Sequence, residues 1–129
     1  MKRTLRQHAG STVAPVGRGE EREQLDSYSK LVRDRVPEII RAAGAKPITY
    51  IAGPEEYRSR LRDKLSEEVA EFLAADEATA VDELADVLEV VYALAEDLGV
   101  DSGGLEGIRL AKARERGSFT NRVVWSGNH

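Results

Sequence analysis

The chain has 129 residues, of which 41% are hydrophobic, 33% charged and only 5% aromatic, a balance that suits one helical domain and excludes a sandwich or barrel. A formal net charge of −4 excludes a protein whose main work is to coat nucleic acid, since phosphate binding needs clustered positive charge. There is no cysteine and the two histidines lie near the termini, so disulfides and thiolate metal sites are excluded and any metal must be held by oxygen.

Residues 1–26 mix Gly, Pro, Ser and charge without a sustained apolar period, and too little surface could be buried there to offset the cost of ordering; a flexible N-terminal tail is expected. No apolar run after the basic opening "MKRTLR" has the length of a signal peptide core or a membrane span. A soluble cytoplasmic protein with no membrane partner is expected.

"KLVRDRVPEIIRAAG" looks like one helix until Pro37 is weighed, because the residue before a proline is pushed toward extended geometry and Pro suits a first helical turn. The expectation is an extended or turn-like "KLVRDRV" and a short helix from Pro37 to Ala43, stopped by Gly44. "KPITYIA" alternates briefly as a strand would, but no second strand exists to pair with it, so it is a short extended segment. "GP" at Gly53 and Pro54 then marks a helix start.

From Pro54 the apolar positions Leu61, Leu65, Val69, Phe72 and Leu73 recur at steps of three and four, giving one face of a long helix that ends near Ala75. A second long helix runs from Glu77 to Leu98, with Leu84, Val87, Leu88, Val91 and Leu94 in a broad apolar arc and Gly99 at its close. So tight a connection makes the two antiparallel neighbours. A third helix starts at Ser102 and ends at Gly117, and "SFTNRVVW" follows as a docking tail. The fold class predicted is all-α: a helical hairpin with short flanking helices, spanning residues 27–125 and followed by a tail over 126–129. Its four-helix-bundle-like core would be completed by dimerisation, because a chain this small covers its apolar arcs incompletely.

Two acid motifs interrupt the apolar pattern. At about 100° per residue from Leu61, the first helix's stripe occupies about 0° to 80°, with Glu68 near 340°, Glu71 near 280° and Glu67 further round near 240°. Counted from Leu84, Glu83 lies near 260°, inside the second helix's arc, and Asp86 near 200° at its edge. Glu83 is therefore the acid expected to be most buried. Taken singly, each motif is what any solvated charged face shows. Together, at the border of two facing apolar stripes, Glu68, Glu71, Glu83 and Asp86 would repel unless neutralised, and Mg²⁺ suits them, with Mn²⁺ admissible. A magnesium site of this kind usually completes its shell with water and substrate phosphate.

These residues resemble the all-α nucleoside triphosphate pyrophosphohydrolases of the MazG-like superfamily, whose signature is EExxE, a helical spacer and ExxD. "YSKLVRDRVPEII", "KPITYIA", "LADVLEVVYALAEDLG" and "KARERGSF" look like its stand-alone branch with a KLVRDKIPEII-type opening. The resemblance covers residues 28–125, with a spacer of 11 residues between Glu71 and Glu83, at the short end of the usual range. It implies Mg²⁺ held by Glu68, Glu71, Glu83 and Asp86, with Glu67 orienting or deprotonating the attacking water and Asp82 a weaker candidate. It further implies hydrolysis of a nucleoside triphosphate between its α and β phosphates.

A triphosphate needs cations beyond the metal. "KLVRDR" offers Lys30, Arg33 and Arg35; "RLAKARERG" offers Arg109, Lys112 and Arg116 on one helical face. Lys30, Arg33, Lys112 and Arg116 are the expected phosphate contacts, while Tyr57, Tyr92, Phe119 and Trp125 are open either to base stacking or to packing. A homodimer or homotetramer acting on nucleotides, with no nucleic-acid partner, is the reading. The alternatives are phosphoribosyl-ATP pyrophosphohydrolase of histidine synthesis and a non-catalytic helical dimerisation module.

Overall fold

A computed structural model describes residues 29–129; the N-terminal tail expected over residues 1–26 lies outside them. Among the described residues there are four helices and no strand: α1 (Val36–Ala42), α2 (Pro54–Ala74), α3 (Glu77–Asp97) and α4 (Ser102–Arg116). The all-α class is as the sequence predicts. The described residues fall into two compact units, divided between Lys64 and Leu65 inside α2.

In the first unit, residues 29–33 form neither helix nor strand and lead into a turn at Asp34 and Arg35. The Val36 amide donates to the Arg33 carbonyl at 3.0 Å, which closes that turn and starts α1 one residue earlier than Pro37 predicts. Proline is thereby left in the first helical turn, where its missing N–H costs nothing. Val36 is fully buried and anchors the short helix. Gly44, at φ 97°, ends it, with its amide on the Arg41 carbonyl at 3.0 Å. Residues 45–53 belong to neither helix nor strand, so the brief alternation of "KPITYIA" forms no sheet among the described residues. Pro54 opens α2, with Glu55 and Glu56 in the first turn, where negative charge meets the positive end of the helix dipole.

The second unit holds the rest of α2, then α3 and α4. Asp76 caps α3: its carboxylate accepts from the Thr79 amide at 3.1 Å and the Thr79 hydroxyl at 3.2 Å. Asp101 caps α4 through the Gly104 amide at 2.7 Å. Each such cap stabilises its helix by about 1 kcal/mol. Gly99, at φ 89°, turns the chain between α3 and α4, and the Val100 amide returns to the Ala95 carbonyl at 2.8 Å. This tight return lays α4 against α3, and Val90 and Ala95 of α3 are buried.

The C-terminal segment differs from its expectation as a docking tail. Phe119 is 95% exposed and Val123, Val124 and Trp125 are similarly open; the Trp125 indole N–H is held locally, by the Gly127 carbonyl and the Asn128 side chain. Its apolar residues, Phe119 and the run Val123 to Trp125, are not covered by the described helices. No helix among the described residues is long and apolar enough to cross a membrane.

Candidate metal centre

Glu67, Glu68 and Glu71 fall in the last turns of α2, and Glu83 and Asp86 in the first half of α3. Separations of three and four residues stack side chains on one helical face, so the two-residue connection at Ala75 and Asp76 can bring both sets together. Carboxylate oxygens of Glu67, Glu68 and Glu71 lie within 4.8 Å of one another, and so do those of Glu68, Glu83 and Asp86. Glu68 belongs to both groups.

Glu68 and Glu83 are each only 5% exposed, and the other three acids are half-buried. The expectation that Glu83 lies inside is met, and Glu68 joins it. Two like charges 4.8 Å apart repel by about 3.5 kcal/mol at an effective dielectric constant of about 20. The Oε2 atoms of Glu68 and Glu71 are shielded from solvent and accept no hydrogen bond, although both residues are engaged in other interactions.

This donor set fits a hard divalent cation. Ligand oxygens about 2.1 Å from one octahedral Mg²⁺ stand about 3 Å apart when adjacent and about 4.2 Å apart when opposite, so oxygens within 4.8 Å of one another would have to close by at most about 2 Å to share one ion. All donors are carboxylate oxygens, the choice of Mg²⁺ or Mn²⁺ rather than of a thiolate-seeking metal. Glu67 stands closer to the group than its angular position alone suggests, because a long glutamate side chain spans much of the 100° between neighbouring helical positions. Asp82 is exposed.

Of the basic residues, Lys30 is half-buried and Arg33 exposed, both in the segment before α1, while Lys112 and Arg116 are exposed on α4. Arg109 is taken up by Glu106, with Nε and the terminal nitrogen on its two oxygens at 2.6 and 2.8 Å. That guanidinium holds the Glu106 carboxyl below its usual range. Arg35 similarly pairs with Glu38 at 3.5 Å. Tyr57 is half-buried; Tyr92, Phe119 and Trp125 are exposed.

One cluster was not singled out by the sequence. The Tyr50 hydroxyl donates to Glu56 Oε2, which also accepts from Arg60 Nε at 3.0 Å and pairs with its Nη2 at 3.0 Å. Arg60 Nη1 donates in turn to the Ser29 carbonyl at 2.8 Å. The hydrogen bond from Tyr50, and then that from Arg60, hold the Glu56 carboxyl below its ordinary range. The four-residue spacing of Glu56 and Arg60 was a visible signal for that pair; the parts played by Tyr50 and Ser29 are tertiary and had none.

A family model described as phosphoribosyl-ATP pyrophosphohydrolase matches residues 39–106, just over half of the chain and all five clustered carboxylates. An uncharacterised protein of Mycolicibacterium smegmatis is 52% identical over 48 residues, 37% of this chain and 49% of that protein. The match thus spans about half the length of this relative. No solved structure matches the chain.

Proposed function

The chain belongs to the phosphoribosyl-ATP pyrophosphohydrolase family, and from that premise we propose that it is a divalent-metal-dependent nucleotide pyrophosphohydrolase. The reaction proposed splits a nucleoside triphosphate between its α and β phosphates into a monophosphate and pyrophosphate, as in house-cleaning of non-standard nucleotides. The observation that carries this reading is the convergence of two carboxylate triads on the shared, buried Glu68.

In this reading Glu68, Glu71, Glu83 and Asp86 hold Mg²⁺, and the sharing of Glu68 by both triads leaves room for more than one ion. When bound, the cation neutralises the acids and polarises phosphoryl oxygen. Glu67, half-buried beside the cluster, accepts a proton from the attacking water. The water oxygen forms a new bond to phosphorus as the bridging P–O bond breaks, and pyrophosphate departs with the electron pair. Lys30, Arg33, Lys112 and Arg116 bind phosphate oxygens. These four lie outside the matched residues 39–106, so their role rests on charge and sequence position.

A homodimer or homotetramer is the proposed assembly. The observation in its support is an apolar face of α3 left open, where Val81 is 75% exposed and Leu84 and Leu88 are each nearly half exposed; a free domain seldom leaves such a stripe uncovered. Sedimentation equilibrium tests it, and a monomer at micromolar concentration would count against it. A cytoplasmic location accords with metal-dependent work on free nucleotides.

The test of the activity is pyrophosphate release across natural and modified nucleoside triphosphates with Mg²⁺ or Mn²⁺. Turnover of at least one supports the reading; none on any of them sinks it. A second reading at the level of the family is phosphoribosyl-ATP as the substrate, which the same screen and complementation of a histidine auxotroph would reveal. A helical module without catalysis would bind no divalent ion in calorimetry.

A further inference from the structure

The Tyr50, Glu56 and Arg60 cluster lies outside the five carboxylates and is used by no step proposed above. Its parts come from three stretches of the first unit: residues 29–33, the linker 45–53 and the opening turns of α2. Residues 29–33 belong to neither helix nor strand, so side-chain contacts and the turn bond at Arg33 set the course of a stretch that carries Lys30 and Arg33.

A guanidinium is a planar fork whose donors leave in fixed directions. In Arg60, Nε and Nη2 face Glu56, and Nη1 faces the Ser29 carbonyl, the residue before Lys30. Tyr50 supplies the third side, donating to Glu56 and standing 3.4 Å from Arg60 Nη2. Glu56 and Tyr50 thereby set the plane of the fork, and the fork sets the backbone at Ser29. The arginine side chain is about one-quarter exposed, so the contacts are partly shielded from competing water.

We infer that Arg60, oriented by Glu56 and Tyr50, is a positioning residue that holds the Ser29–Arg33 stretch so that Lys30 and Arg33 present their charges to a substrate's phosphate chain. This rests on the pyrophosphohydrolase reading for its ligand. It adds that phosphate affinity depends on a side chain that touches no phosphate. A lysine at this position keeps the positive charge but loses the fork, so charge alone does not satisfy the requirement.

The test uses the full chain with inorganic tripolyphosphate in calorimetry and amide hydrogen exchange at residues 29–33. In Arg60→Ala and Arg60→Lys, affinity is expected to fall about tenfold, the loss associated with a charged hydrogen bond, while Mg²⁺ affinity stays unchanged and exchange at residues 29–33 accelerates. In a Lys30→Ala, Arg33→Ala background, Arg60→Ala is expected to cost no further affinity, because it acts through those residues. Additive losses, or full rescue by Arg60→Lys, overturn the positioning role. Unchanged exchange overturns the clamp itself. Absence of tripolyphosphate binding by the unaltered protein overturns the phosphate role of this stretch, while pyrophosphate release by that same protein still decides the enzymatic reading separately.

Discussion

Glu68→Gln separates stability from function most sharply. Glu68 shares each triad with two other acids, at oxygen separations within 4.8 Å. Each such pair repels by about 0.9 kcal/mol at the dielectric constant of water and about 3.5 kcal/mol at an effective constant of about 20. Counting only the pair with the equally buried Glu83, neutralising Glu68 relieves at least about 1 kcal/mol, and an amide N–H there can also donate to its neighbours. For a domain of this size that is a rise in Tm of about 4 °C or more in EDTA. With metal the order reverses: at a hundredfold excess over Kd, the unaltered protein gains about 2.7 kcal/mol from binding, and the variant gains little of it. The assay is thermal melting by circular dichroism in EDTA and in excess Mg²⁺. A variant that melts lower in EDTA and keeps the full Mg²⁺ shift would refute both the repulsion and the ligand role.

Glu67→Gln is expected to keep the Mg²⁺-induced rise in Tm while turnover of the best nucleotide falls about 10²-fold or more; loss of the rise would make Glu67 a ligand rather than a base. Asp76→Ala and Asp101→Ala each remove an N-cap bond and should cost about 1 kcal/mol in urea unfolding; unchanged midpoints would deny the caps any role. Gly99→Ala, at φ 89°, should destabilise by about 1 kcal/mol or more from left-handed strain alone, since open space surrounds the position. Glu56 has its pKa lowered by Tyr50 and Arg60, so its stabilising contribution is present above the ordinary carboxylate pKa and is lost as pH falls through the lowered value. The stability gap between the unaltered protein and Glu56→Gln should therefore close on acidification, and a gap that widens in acid would contradict the assignment.

Helix existence was legible because the signals were redundant. Pro54 with a three-and-four apolar rhythm gave α2, and Gly99 and Gly117 marked the ends of α3 and α4, whereas the caps at Asp76 and Asp101 came only with the structure. The start of α1 slipped by one residue because a turn bond at Arg33 holds Val36 in place despite the proline after it. In the candidate centre, angular position correctly set Glu83 inside and put Glu68 at the stripe's border. It set Glu67 further round, and Glu67 is indeed less buried than Glu68, although the reach of its side chain brings its carboxylate to Glu68 and Glu71. The Tyr50 and Ser29 contacts had no local signature, and neither did the exposure of the C-terminal apolar residues, because both depend on which surfaces meet in three dimensions.

Those two facts, acids inside and apolar residues outside, belong together. A leucine fully buried at the place of Glu68 or Glu83 would contribute about 1.5–3 kcal/mol of burial; the carboxylates, although each has other interactions, repel one another at this separation, and in the proposed reading a bound cation offsets that repulsion. A small domain has little interior to give. With two buried positions held by glutamate, Val81, Leu84 and Leu88 are left exposed among the described residues, and their burial is open to whatever surface meets them. In the proposed reading, metal and a second copy stabilise the fold in complementary ways: one by neutralising what is charged within it, the other by covering what is apolar upon it.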